Sequence, residues 1–239
     1  FIKAAAVQDA LLDLTVSDWL ICWRDITSSV TTRTAIAAVI PKAGTDFTLR
    51  IGFVADLPAR VMALFLGAFN AFVFDYCTRQ MIGGNHLSDY IVKQLPIPSS
   101  SHATKAALWD EKLIFGDWIL PRVLEMTYTA WDLESFALDC GWDGPPFRWD
   151  EDRRFLLRCE LDSAFFHLYL PATPDGQWKP ACIAEGAVRD DTSEELSELK
   201  HYFPTPRDAV SYIMDTFPIV RRKDEAKYEG DYRTKRIIL

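Results

Sequence analysis

Trp19-Leu20-Ile21-Cys22-Trp23 is a bulky, aromatic run with no helical period, and it reads as a β-strand. Arg24-Asp25 follows, then a Ser/Thr-rich stretch from Thr27 to Thr32 and Arg33. Thr34-Ala35-Ile36-Ala37-Ala38-Val39-Ile40 reads as a second strand, stopped by Pro41. Two strands joined by a polar segment predict a hairpin with a long tip. Phe47 to Val54 is a third strand candidate.

Working outward, residues 7–14 read as a short helix or a lead-in to the first strand. Downstream, Leu57-Pro58 suits the opening of a helix, since proline fits a first helical turn. Apolar residues then recur at Val61, Leu64, Phe65, Ala68, Phe69, Phe72 and Val73, predicting one helix with a broad apolar face until Gly83-Gly84-Asn85 breaks it. Leu87 to Leu95 is a short element closed by Pro96-Ile97-Pro98, and Ser99-Ser100-Ser101 reads as a linker. Lys105 to Met126 has a mostly helical pattern, which Pro121 should kink or divide. Leu133 to Asp139 suggests a short helix, 141–146 a loop, and Glu151 to Leu170 the clearest helix. Thr192 or Ser193, and then Thr205 followed by Pro206, are N-cap signals. The fold class is therefore α+β. A small N-terminal domain of strands and packed helices, 1–98, precedes a mainly helical C-terminal subdomain, 99–239.

The 239 residues carry a formal charge of −8, with 49% hydrophobic and 25% charged residues, so a disordered or low-complexity chain is excluded. The charge is uneven. Residues 1–95 hold 8 Lys/Arg against 8 Asp/Glu, 96–215 hold 11 against 22, and 216–239 hold 7 against 4. The acid in the middle part reads as a solvated face, or as a surface that docks a basic partner domain. The five cysteines form no CxxC pair and read as reduced thiols, and the four scattered histidines predict no metal site. No apolar run reaches the roughly 18 residues of a membrane span. There is no signal-peptide pattern, and the expectation is a cytoplasmic protein without a membrane partner. The chain opens at Phe1 and closes on Ile237-Ile238-Leu239, so both ends read as cut from something longer.

One ordered set of motifs goes further. Leu66-Gly67-Ala68-Phe69-Asn70, then Gly83-Gly84-Asn85-His86-Leu87, then Leu95-Pro96-Ile97-Pro98, resembles the specificity modules of restriction-modification systems. Trp23-Arg24-Asp25-Ile26 and Arg33-Thr34 look like their recognition portion. Phe166-His167-Leu168-Tyr169-Leu170, Phe203-Pro204-Thr205-Pro206 and Tyr212 to Val220 look like the C-terminal part of the same large proteins. The closer similarity is to adenine-N6 DNA methyltransferases with TaqI-like target-recognition regions, found in type II restriction-modification and related phage-defence systems. Ala71 departs from the serine usual there. The resemblance implies a partner, double-stranded DNA. It also implies a separate N-terminal methyltransferase domain using S-adenosylmethionine, possessed by a parent enzyme that in some cases is fused to an endonuclease. The family's Asn/Asp-Pro-Pro-aromatic catalytic motif is absent: Gly144-Pro145-Pro146-Phe147 lacks the side-chain oxygen that would accept from the adenine amino group. No Gly-rich loop follows a strand to cradle the cofactor. The stretch itself is thus expected to be a non-catalytic fragment that binds no cofactor.

Arg pairs bidentately with guanine and Asn with adenine, so Arg24, Arg33 and Lys42 are the first DNA-binding candidates and Arg79, Asn85 and His86 the second. Each also has a structural reading: Arg24-Asp25 as a local ion pair, Asn70 as a helix-packing amide, Asn85 as a left-handed turn residue. The run Arg221-Arg222-Lys223, with Lys227, Arg233, Lys235 and Arg236, is a second basic patch. The alternative function is a scaffold or protein-interaction module docking the catalytic domain or a defence partner. Carboxylates such as Asp150, Glu151, Asp152, Glu160 and Asp162 are plentiful, but density on a helical surface is not an acid–base pair around a pocket.

Overall fold

The computed structural model describes residues 17–52, 57–183 and 190–239, and its fold is α+β. The lead-in at 7–14 and the tail of the third strand candidate, 53–54, lie outside the described residues. The chain forms two compact units, residues 1–161 and 162–239. The division falls within the helix Glu151–Tyr169, whereas the change of sequence character placed it at residue 98.

In the first unit, three antiparallel strands lie in the order β2-β1-β3: β1 Trp19–Arg24, β2 Ala37–Pro41 and β3 Leu49–Gly52. Trp19 stands opposite Pro41 and Trp23 opposite Ala37, while Arg24 stands opposite Leu49. β1 is central and almost wholly buried, which is why it reads as a continuous apolar run instead of an alternating one. The second strand starts at Ala37, later than the pattern predicts, because the amides of Thr34 and Ala35 are taken by a helix side chain, Asp75.

The apolar stretch after Pro58 makes two helices, α1 Ala59–Phe69 and α2 Phe72–Met81, with axes 60° apart. The break falls at Asn70-Ala71, where Ala71 is extended (φ −79°, ψ 150°). The Asn70 carboxamide accepts from Ala37 N–H at 3.1 Å and donates to the carbonyls of Ala37 and Leu66 at 3.0 and 2.9 Å. It thus pairs with β2 as a strand edge would, and the helix yields to that bond. No single described helix is long and apolar enough to cross a membrane.

A helix Asp89–Val92 and a 3-10 turn Ser100–Thr104 lead to a correction. Residues 106–114 form a hairpin, Ala106–Ala107 with Asp110–Ile114, in place of the predicted helix start. The helix that follows, Phe115–Thr127, contains Pro121 without being divided by it. It packs on α1, and Gly116 permits this approach: a Cβ there would sit 3.0 Å from Arg60 Cβ and against the Ala103 carbonyl. Phe69, Phe74 and Trp23 form an aromatic core, with Phe69 and Phe74 centroids 4.8 Å apart. Trp19 packs edge-on against Phe136 and donates to Asp139 at 2.7 Å, tying the sheet to the helix Glu134–Asp139.

In the second unit, capping dictates where helices begin. Thr192 and Glu195 form a capping box for Ser193–Tyr202, and Thr205 and Asp208 form one for Pro206–Asp215. Helices Pro218–Lys227 and Arg233–Ile238 follow, linked by the buried Asp224, which accepts from Thr234 N–H at 2.6 Å. Between the long helix and the first capped one, Ala172 bridges Trp178, whose indole donates to Phe203 O at 2.8 Å.

Candidate nucleic-acid interface

Three segments meet at the C-terminal end of β1. Asp25 N–H donates to Thr48 O at 2.9 Å, joining the entry to β3. On the other side, Thr27 N–H donates to Asn85 O and Leu87 N–H to Asp25 O, at 2.9 and 2.7 Å, so Ile26 and His86 form an antiparallel bridge. Trp23 Nε1 adds a bond to Leu87 O at 2.9 Å. Residues 85–87 are therefore bonded to the chain just after β1 by a single bridge. Asn85 is not at positive φ, so it is no left-handed turn residue. A Cβ at Gly83 or Gly84 would meet nothing within 4 Å, so neither glycine is required by close packing against the rest of the protein.

The loop from Thr27 to Thr34 is held from beneath by charged side chains. Arg24 donates to Thr27 Oγ1 and Arg33 O at 2.9 and 2.8 Å. Arg79 donates to the carbonyls of Thr31 and Thr32 at 2.8 and 3.3 Å. Arg33 donates to Asn70 O and lies 3.7 Å over the Phe72 ring. Asp75, wholly buried, accepts from Thr34 N–H at 2.9 Å and Ala35 N–H at 3.0 Å, with Arg79 Nη2 at 3.8 Å. A buried carboxylate is tolerated only with such donors. The loop hydroxyls close the lattice: Thr27 Oγ1 to Thr34 O, Thr34 Oγ1 to Ser28 O, and Thr31 Oγ1 to Ser28 O. Ser29 and Val30 are left at an exposed tip.

The six candidates thus divide. Arg24, Arg33 and Arg79 direct their guanidinium groups to the protein's own carbonyls and shape the loop. Asn85 and His86 are exposed beside it. Lys42 is elsewhere: its N–H donates to Asp18 O, at the opposite end of β1, roughly 20 Å from Arg24 at about 3.3 Å per residue. Asp25, Asn70 and Asp75 are the polar residues that organise the site. Asp25 carried a signal only of local pairing with Arg24, Asn70 stood in the first resemblance motif and read as a helix-packing amide, and Asp75 was not among the candidate site residues.

Asp25 does not pair with Arg24. It is buried, and takes His86 Nδ1 at 2.8 Å and Arg50 Nε at 3.3 Å, with Arg50 also 3.5 Å from Asp89. Burial pushes the Asp25 carboxyl up, but the His86 hydrogen bond and the Arg50 pair together outweigh it and hold the group below the ordinary aspartate range. An ionised carboxylate only accepts, so the His86 Nδ1 facing it carries a proton, and the rest of the His86 side chain is exposed.

The basic patch of the second unit is largely paired internally. Arg221 bonds Glu225, Lys235 bonds Asp215, and Arg236 bonds Asp231 through two nitrogens. Arg233 lies 4.6 Å over the Tyr228 ring. Among the described residues no group of three or more His, Cys, Asp or Glu is placed to hold a metal. Burial pushes the thiols of Cys22 and Cys77 up, and burial with Asp139 beside it pushes Cys140 up to about 12, which disfavours the nucleophilic thiolate at all three. Gly144-Pro145-Pro146-Phe147 is a closed loop, with Phe147 stacked on Trp142 at 4.9 Å. No family model, curated protein or solved structure matches the chain.

Proposed function

We propose that residues 17–98 read double-stranded DNA, as the target-recognition part of an adenine-N6 DNA methyltransferase whose catalytic domain is separate. The ordered motifs support this reading, and so does the arrangement they occupy. The observation that carries it is a Ser/Thr loop held rigid by Arg24, Arg33, Arg79 and Asp75, immediately beside an exposed Asn-His pair. Readout of bases rewards groups fixed before binding, because ordering them then costs nothing further. Asn85 has the carboxamide that matches adenine N6 and N7, and His86 Nε2 is oriented by Asp25. In this reading the three arginines are positioning residues, and the contact roles fall to Ser29, Asn85 and His86. The net-zero charge of residues 1–95 supplies little phosphate attraction, so most affinity comes from the catalytic domain.

The test is exchange of residues 1–98 in the complete enzyme for those of a relative with a different target, followed by mapping of methylated sites. The target sequence should follow the exchanged segment. An unchanged target overturns the reading. A scaffold role for the later residues is a second reading, favoured by one observation: the acidic, tryptophan-rich surface between residues 128 and 152.

A further inference from the structure

Within the first unit, residues 128–152 bear seven carboxylates, Asp132, Glu134, Asp139, Asp143, Asp150, Glu151 and Asp152, against one basic residue, Arg148, and all eight are exposed. Three tryptophans share this segment, and all stand in solvent: Trp131 and Trp149 are 62% exposed and Trp142 37%. The segment is held as one surface. Phe147 N–H donates to Tyr128 O at 2.9 Å, Trp142 stacks on Phe147, and Trp131 stands edge-on to Tyr128 at 6.5 Å. Arg154 donates to Met126 O and lies 3.8 Å over the Trp149 ring. Asp132, Glu134 and Asp143 have no ion pair among the described residues. Large exposed aromatics ringed by charge mark interaction surfaces.

We infer that this face docks a Lys/Arg-rich segment of a partner protein. Charge decides the class of occupant. Phosphates are repelled by the seven carboxylates, and a neutral apolar partner would strand them against its surface. A guanidinium or ammonium group satisfies both parts at once, resting on an indole face while pairing with a carboxylate. The chain already uses that chemistry internally, at Arg154 over Trp149 and at Arg122 over Trp118, 3.6 Å apart with Arg122 bonded to Glu160 at 2.7 Å. The surface lies away in sequence from the loops proposed to read DNA, and the inference does not rest on that reading.

The test is fluorescence anisotropy of the full chain with a fluorescein-labelled peptide of alternating Arg, Lys and Gly. Three variants are compared with wild type: Trp131→Ala; a surface triple, Asp132→Asn/Glu134→Gln/Asp143→Asn; and a charge-matched control in the other unit, Glu194→Gln/Glu198→Gln/Glu229→Gln. Thermal melting checks that each is folded. The surface triple should weaken binding by about tenfold or more and Trp131→Ala by about threefold to tenfold, with the control within about twofold of wild type. The inference is overturned if the peptide does not bind, if the control weakens binding as much as the surface triple, or if a Ser-for-Arg/Lys version of the peptide binds as well. The surface triple leaves the aromatic packing intact, so a misfolded Trp131→Ala would not remove the test.

Discussion

Replacing Asp75 by alanine would remove the acceptor that holds both Thr34 and Ala35. Their N–H groups are buried, at 2.9 and 3.0 Å from Asp75 Oδ1, and among the described residues no other acceptor takes them. Each buried donor left unsatisfied costs about 1–3 kcal/mol, so the pair costs about 2–6 kcal/mol. That is a large share of the roughly 5–15 kcal/mol that holds a typical domain. Asp75→Asn keeps one carbonyl oxygen in the Oδ1 position and loses the charge beside Arg79, for a smaller cost of about 1–3 kcal/mol. The anchor acts on one loop, so the most direct assay is native-state hydrogen exchange of the segment 27–35, which reports its local opening. At 2 kcal/mol, exchange in Asp75→Ala should accelerate by about 30-fold, with Asp75→Asn intermediate. Acceleration of less than about threefold in Asp75→Ala would refute the anchoring role of this carboxylate.

Asn70→Ala should strip Ala37 of both its side-chain partners and cost about 1–3 kcal/mol in urea unfolding of the first unit; an unchanged midpoint would mean the helix break has another cause. Gly116→Ala should lower the melting temperature through overpacking worth about 1–3 kcal/mol, because the new methyl meets the Ala103 carbonyl and cannot displace backbone cheaply. Asp25 gives a pH dependence. Its folded pKa is depressed, so its contribution is present above the ordinary aspartate value of about 3.9 and is lost as pH falls through the lower folded value. Wild type should therefore lose melting temperature below about pH 4. Asp25→Asn should be less stable at pH 7 and flatter over that interval, and equal acid slopes would contradict the pairing with His86 and Arg50.

The parts of the fold legible in the sequence are those that depend on neighbours in the chain. The strand Trp19–Arg24 follows from its bulky apolar run, and the helices after Thr192 and Thr205 follow from capping side chains three residues from their partners. What was illegible depends on distant partners. The break at Asn70 has no glycine or proline to announce it and exists because the side chain bonds β2, 33 residues away. The hairpin at 106–114 pairs Ala106 with Ile114 and carries only Asp110, which accepts from Lys112 N–H, as a turn signal. At the candidate site, the types of residue were readable but their directions were not. Arginine serves a carbonyl as well as a guanine, and the carbonyls that capture Arg79 lie 47 and 48 residues away. The Asn85 and His86 side chains stay exposed because the bridge to the segment after β1 runs through the backbone of their stretch, Asn85 O and Leu87 N–H, while His86 commits only Nδ1, to Asp25.

Readout of DNA by the end of the sheet that carries Thr27–Thr34 and Asn85-His86 is tested most directly by selection, with the complete enzyme, from a pool of randomised duplexes at about 50 mM salt, where phosphate attraction is stronger than at physiological salt. Wild type is compared with Asn85→Ala/His86→Ala. The account predicts that wild type enriches a defined sequence, and that the double variant, less stable by the lost His86–Asp25 bond but verified as folded, loses that preference at one or two base pairs while its salt dependence stays the same. An identical enriched sequence from both proteins, or none from wild type, would contradict it.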